Sequence, residues 1–298
     1  MTKRSRYFAV SATTLVLSLG LNCGGSKETS KSAEETPAAA EGSVWKPTGN
    51  EGSITGKVNF KGTAPKLRPI TMDADAVCAA KHQGAVYPET MVVNSNGTLR
   101  NVFVYVKTGL EGKNFAVPDE PVVLDQDGCM YKPHVLGIRA RQNLKVVSSD
   151  KTTHNIHPLP KVNQEWNVSQ APGADPIIRS FARPEETIPV KCNQHAWMRA
   201  YIHVLNNPYF VVTGDDGSFK LDNLPPGDYE LEAIHEELGA STQKVTVPAK
   251  GAATAEFSYT PTQARRPSSL KMMPALIVSC CDAMVTDAVK RMNVFGGE

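Results

Sequence analysis

The sequence predicts an all-β protein of sandwich-like architecture, and three observations carry that reading. Between residues 51 and 259, short stretches alternate apolar and polar residues or are rich in β-branched side chains. Gly, Pro, Asn and Asp fall between these stretches, where turns are needed. No amphipathic helical run of more than two turns occurs before residue 262.

In chain order the strand candidates begin with GSITGKVNF, TLRNVFVYVKTG and PVVLD, followed by NLKVVSS and ETIPVKC. AYIHVL, YFVVTG, SFKLDNL, DYELEAIHE and QKVTV complete the series. GSITGKVNF and SFKLDNL are strands by alternation, PVVLD and NLKVVSS by β-branched content. The segment TGDDGSF carries an Asp-Gly signal and predicts a hairpin between its flanking strands.

The ends of the chain differ in texture. Lys3, Arg4 and Arg6 precede a 15-residue apolar run, YFAVSATTLVLSLGL, which is short for a bilayer span and suits an export signal over residues 1–22. Cys23 follows, and residues 23–50 are small, polar and Pro-containing, a tether with nothing to bury. This start resembles that of bacterial lipoproteins. The resemblance implies a lipid on Cys23, a membrane tether, and a periplasmic or envelope-anchored protein in an oxidising space; ordinary signal cleavage or an unprocessed anchor are the alternatives. Residues 260–298 form a tail with one amphipathic helix, Ala275 to Met292, too short to span a bilayer; adjacent Cys280 and Cys281 are left without a function.

Composition removes several function classes. Thirty-two Lys and Arg against 30 Asp and Glu give a formal charge of +2 without a basic stripe, so no nucleic-acid partner is expected. Neither GxxxxGK[ST] nor GxGxxG occurs, and no GxSxG or HExxH supports a hydrolase. C-x-x-C-H is absent, which argues against covalent haem.

Chemistry concentrates in VKCNQHAWMRAYIHV, where Cys192, His195 and Met198 are spaced three apart. Thiolate and thioether are soft donors that favour Cu(I), and imidazole serves both copper oxidation states. A second imidazole is needed, and SSDKTTHNIH offers His154 and His157. His157 precedes Pro158, where strand pairing tends to end, and three residues from His154 it points to the opposite face of a strand. Zinc competes for Cys and His, but Met198 favours copper.

The C-x-x-H-x-x-M loop with an upstream His154-Asn155 resembles the cupredoxins, specifically the short-loop amicyanin and pseudoazurin kind. The resemblance covers much of residues 95–205 and implies a cupredoxin-like Greek-key sandwich over 71–205. It implies one type 1 copper held by His154, Cys192 and His195, with Met198 as a weak axial ligand and Asn155 tying the ligand segments together. A single loop cysteine implies a mononuclear centre. The implied function is a carrier of single electrons between redox protein partners, not an enzyme, with the His195 edge at the surface beside Ala196 and Trp197, although Trp197 reads equally well as a core residue.

A second resemblance lies in residues 206–259, where Gly217-Ser218-Phe219, Leu224-Pro225-Pro226-Gly227 and Tyr229 match carboxypeptidase regulatory-like β-sandwich modules. Such modules open with a strand like GKVNFKG, Gly56 to Gly62, so residues 51–70 belong either to that module, with the copper unit inserted, or to a stray strand ahead of two consecutive domains. A rival function follows, an envelope carbohydrate- or protein-binding module with a structural or storage copper. Cys78 and Cys129 most simply pair as a disulfide; a Cys₂His₂ site with His82 and His134, or two free thiols, are the alternatives. His203 and His235 read as half-exposed strand positions without chemistry.

Overall fold

The computed structural model describes residues 43–261. The expected signal, Cys23, most of the tether and the tail helix with Cys280 and Cys281 lie outside those residues.

The described chain is all-β apart from one six-residue helix. β1 (Gly52–Phe60) is followed by α1 (Ala76–Lys81) and β2 (Phe103–Thr108). β3 (Val122–Gln126), β4 (Tyr131–Lys132), β5 (Val135–Arg139), β6 (Leu144–Ser148) and β7 (His154–Pro158) come next. β8 (Val168–Gln170), β9 (Ile177–Arg179), β10 (Glu185–Lys191) and β11 (Arg199–Leu205) continue. The chain then runs through β12 (Phe210–Val212), β13 (Ser218–Leu224), β14 (Gly227–His235), β15 (Gly239–Val247) and β16 (Ala252–Tyr259).

These strands form four sheets, ordered β13-β1-β16, β12-β2-β14-β15, β5-β11-β10-β7-β8 and β4-β3-β6-β9. β1 is parallel to β16 and antiparallel to β13, and β2 is antiparallel to β12 and β14. Two strands from before the ligand segments therefore find their partners more than 100 residues later. The stretch from β3 to β11 builds its own two sheets between them. β2 lies inside residues 71–205, the span read as the copper unit, yet it hydrogen-bonds to strands of the other sandwich.

Side-chain alternation explains how the sheets stack. Val104 and Val106 of β2 join the core of Ile54, Val58, Phe219, Leu231 and Phe257, while Phe103 and Tyr105 face a second cluster with Val135 and Leu205. β11 behaves likewise: Ala200, Ile202 and Val204 enter the core that holds Cys192 and Met198, and Tyr201 and Leu205 enter the shared cluster. β2 and β11 are thus covered on both faces, and an apolar seam joins the two sandwiches. His203 sits in that seam, stacked on Phe103 at 4.0 Å, and is buried. His235 is buried as well, its Nδ1 accepting from the backbone N–H groups of Glu237 and Leu238. Neither is half-exposed, because each face that alternation assigns to solvent is covered by another part of the fold.

The Asp-Gly signal marks a real turn, with Gly217 at φ +65° and its N–H bonded to the Gly214 carbonyl at 3.0 Å. It is not a hairpin, because β12 pairs with β2 and β13 with β1. The turn carries the chain from one sheet to the other.

Two measurable consequences follow from the seam. A Cβ on Gly137 would stand 2.4 Å from Phe210 Cδ2 and 2.7 Å from Phe103 Cε2. Gly137→Ala should therefore cost about 1–3 kcal/mol by overpacking, read as a lower denaturation midpoint; an unchanged midpoint would show the seam to be loose. Burial pushes the His203 pKa down to about 3, whereas the unfolded chain takes up that proton near 6.5. The contribution of the neutral ring is complete above pH 6.5 and is lost as pH falls from 6.5 toward 3. His203→Phe should flatten the acid side of the stability profile by up to about 1.4 kcal/mol per pH unit, checked by melts across that window.

Candidate metal centre

The C-x-x-H-x-x-M segment is the connection between two paired strands. Lys191, the last residue of β10, is opposite Arg199, the first of β11, so residues 192–198 form the whole loop. The Cys192 N–H donates to the Met198 carbonyl at 3.2 Å and the Met198 N–H to the His195 carbonyl at 2.9 Å. These bonds close the loop on itself. β7 lies on the other side of β10, with Lys191 opposite His157, and its start brings His154 and Asn155 alongside the loop. Asn155 Oδ1 accepts from the Asn193 N–H at 2.7 Å and from the Cys192 thiol at 3.3 Å, while its Nδ2 donates to Asn167 Oδ1 at 2.7 Å. Asn155 therefore ties the two ligand-bearing segments together.

His154, Cys192 and His195 each present one donor atom, all within 4.8 Å of one another, and all three residues are buried. His154 Nδ1 is 3.0 Å from His195 Nδ1, and Cys192 Sγ is 3.7 Å from His195 Nδ1. Metal–nitrogen bonds of about 2.0 Å and metal–sulfur bonds of about 2.3 Å at trigonal angles require N···N of about 3.5 Å and N···S of about 3.7 Å. The spacing of the sulfur from His195 fits an ion as it stands, and the imidazoles would separate by about 0.5 Å.

The outer edges of both rings decide what the inner edges can do. His154 Nε2 is 3.0 Å from Asp150 Oδ2, and His195 Nε2 is 3.1 Å from Asp75 Oδ2. Asp150 also accepts from the N–H groups of Gly128 and Cys129 and pairs with Lys81 at 3.1 Å. The Asp75 carboxyl is held down at about 2, first by the Thr152 hydroxyl and, against its desolvation, by the Cys78 N–H and His195. A carboxylate behind each ring assigns the proton to Nε2 and leaves both Nδ1 atoms as acceptors. Two acceptor lone pairs facing each other at 3.0 Å in a buried site repel unless a proton or a metal ion lies between them. Burial, with His195 nearby, lowers the pKa of His154 against the pull of Asp150, which favours the neutral ring that ligates metals.

Met198 is fully buried in the same apolar core as Cys192. His157 turns away from the centre, its ring nitrogens meeting Asn193 and Glu165. Cys78 and Cys129 are joined by a disulfide, with Cα atoms 5.6 Å apart. His82 bonds the Gly128 carbonyl and His134 bonds Glu236, so no Cys₂His₂ site exists there. The expected surface edge of His195 is not found: the residue is 4% exposed, covered by Asp75 and by the Cys78 sulfur, 3.7 Å from Nε2. Trp197 is half-buried, its ring tilted against His195 and its indole N–H donating to the Cys129 carbonyl at 3.0 Å. Asp150, four residues before His154, was within reach of sequence reasoning; Asp75, 120 residues from His195, carried no signal.

No family model and no curated protein matches the sequence. Among solved structures, a Cu-containing nitrite reductase from Thermus scotoductus SA-01 is 17% identical at a TM-score of 0.28, over 34% of this chain and 25% of that one, about a quarter of its length. A purple cupredoxin from Nitrosopumilus maritimus is 16% identical at a TM-score of 0.25, over 28% of this chain and 98% of that one. An amicyanin variant in its Cu(I) state is 18% identical at a TM-score of 0.25, over 34% of this chain and 97% of that one.

Removing Asn155 tests the tie between segments. Asn155→Ala leaves the Asn193 N–H without its acceptor and frees the loop from β7. The expected outcome is a stability loss of about 1–3 kcal/mol and a metal affinity weaker by about 10–100-fold. Denaturation and metal-competition titrations on the same protein check both.

Proposed function

We propose that His154, Cys192 and His195, with Met198 as a weaker fourth donor, hold one copper ion, and that the protein carries single electrons between redox protein partners. The convergence of two Nδ1 atoms and one sulfur in a buried pocket carries this reading. Bound there, copper would supply a Cu(II)/Cu(I) couple that exchanges one electron at a time. The chain supplies the rest. Its apolar core shields the donors from water, Asn155 fixes the loop to β7, and the two aspartates hold the imidazoles from behind. Four protein ligands leave no open position for a substrate, which favours a carrier over an enzyme.

The disulfide supports an exported protein working in an oxidising space, periplasmic or envelope-anchored, with a lipid on Cys23 as the proposed tether. We read the sandwich of β1, β2 and β12 to β16, which carries the regulatory-like motif, as a scaffold or docking platform.

Loading the purified protein with Cu(II) tests the reading. One equivalent should produce an intense blue colour that ascorbate bleaches, and Cys192→Ser should abolish it because the thiolate supplies the charge-transfer bond. A colourless protein, or one that takes up zinc alone, would overturn the reading. Met198→Gln should retain copper and change the reduction potential, measured by redox titration.

A further inference from the structure

We propose that Asp75 is a positioning residue for His195: its carboxylate fixes the proton on Nε2, turns Nδ1 toward the other donors, and so sets both the affinity and the potential of the centre. Its redox consequence rests on the copper reading above; its effect on the ring does not.

The two oxygens of Asp75 do different work. Oδ1 accepts from the N–H groups of Val77 and Cys78 at 2.8 and 3.1 Å and so caps α1. Oδ2 accepts from the Thr152 hydroxyl at 2.8 Å and faces His195 Nε2 at 3.1 Å. With Oδ1 occupied by the helix end, the carboxylate cannot rotate away from the ring without losing its cap. The side chain is 21% exposed and that of His195 only 5%, so the contact is partly shielded from solvent.

The turn that carries Asp75 is itself anchored. Cys78, three residues on, is bonded to Cys129, and the Cys129 N–H donates to Asp150, the carboxylate behind the other imidazole. The disulfide therefore links the supports of both rings. It also explains the hidden edge of His195, since the Cys78 sulfur and Asp75 together occupy the place above Nε2. A carboxylate on the far nitrogen of a ligating histidine makes the ring a stronger donor and fixes its orientation. A negative charge at this distance also favours Cu(II) over Cu(I), by elementary electrostatics.

Two substitutions separate this role from simple capping. Asp75→Ser keeps a capping oxygen but is too short to reach the ring. Asp75→Asn keeps the cap and turns an amide NH₂ donor toward Nε2, which favours the proton on Nδ1. In the metal-free protein, long-range ¹⁵N–¹H NMR should show His195 protonated on Nε2 in the wild type and shifted toward Nδ1 in Asp75→Asn. In the copper-loaded protein, either variant should bind about 10–100-fold more weakly and shift the Cu(I)/Cu(II) preference about tenfold toward Cu(I), equivalent to about 59 mV upward. Variants that lose only thermal stability, with tautomer and potential unchanged, would reduce Asp75 to a helix cap and overturn the proposal. A wild type that forms no coloured copper complex overturns the copper reading instead, and the metal-free NMR result then decides the role of Asp75 alone.

Discussion

Two imidazoles face each other across the centre with their Nδ1 atoms 3.0 Å apart, each backed by a carboxylate on its other nitrogen. Much else in this half of the molecule exists to hold that opposition. Left alone, two buried lone pairs and a sulfur would drive the rings apart or invite water. The rings stay because their outer edges are claimed, by Asp150 on one side and Asp75 on the other, and because the core around Ile156, Val190 and Ala200 leaves little space to retreat into. The arrangement leaves the facing Nδ1 atoms in need of a proton or a cation between them.

The surroundings are arranged in the same spirit. The loop closes on itself through Cys192, His195 and Met198 main-chain bonds, Asn155 ties it to β7, and the disulfide ties the two carboxylate carriers to each other. These ties hold the three candidate donors from three directions. The second sandwich contributes at longer range, through the seam of Phe103, Tyr105, Val135 and Leu205 that covers the back of β11, the strand leaving the ligand loop.

Much of the strand content was legible because alternation and β-branching are local. The strands not anticipated carried weak signals: β16 alternates but places Ala where β-branched residues are usual, β5 carries Gly137, β4 has two residues, and β8 and β9 have three each. The turn with three soft donors stood out because such residues are rare together, and His154 was preferred to His157 chiefly by the resemblance of His154-Asn155 to the cupredoxin pattern; the expectation that pairing ends at Pro158 fails, since His157 and Pro158 pair with Lys191 and Val190 of β10. The burial of His195, His203 and His235 was not legible, since each is covered by chain that is distant in sequence.

The sequence by itself determined the all-β class, the positions of many strands, and which thiol, imidazole and thioether side chains are candidate donors, because these depend on residue type and short-range spacing. Only the tertiary structure decided that β1 and β2 pair with strands from the far end of the chain, and that Asp75 stands behind His195. Strand partners are chosen by which apolar faces can cover one another, and a hydrogen bond between residues 120 apart is set by how whole sheets stack. GKVNFKG raised the pairing of β1 with the C-terminal module only as one of two alternatives, and no local pattern encodes the partners of β2 or the place of Asp75.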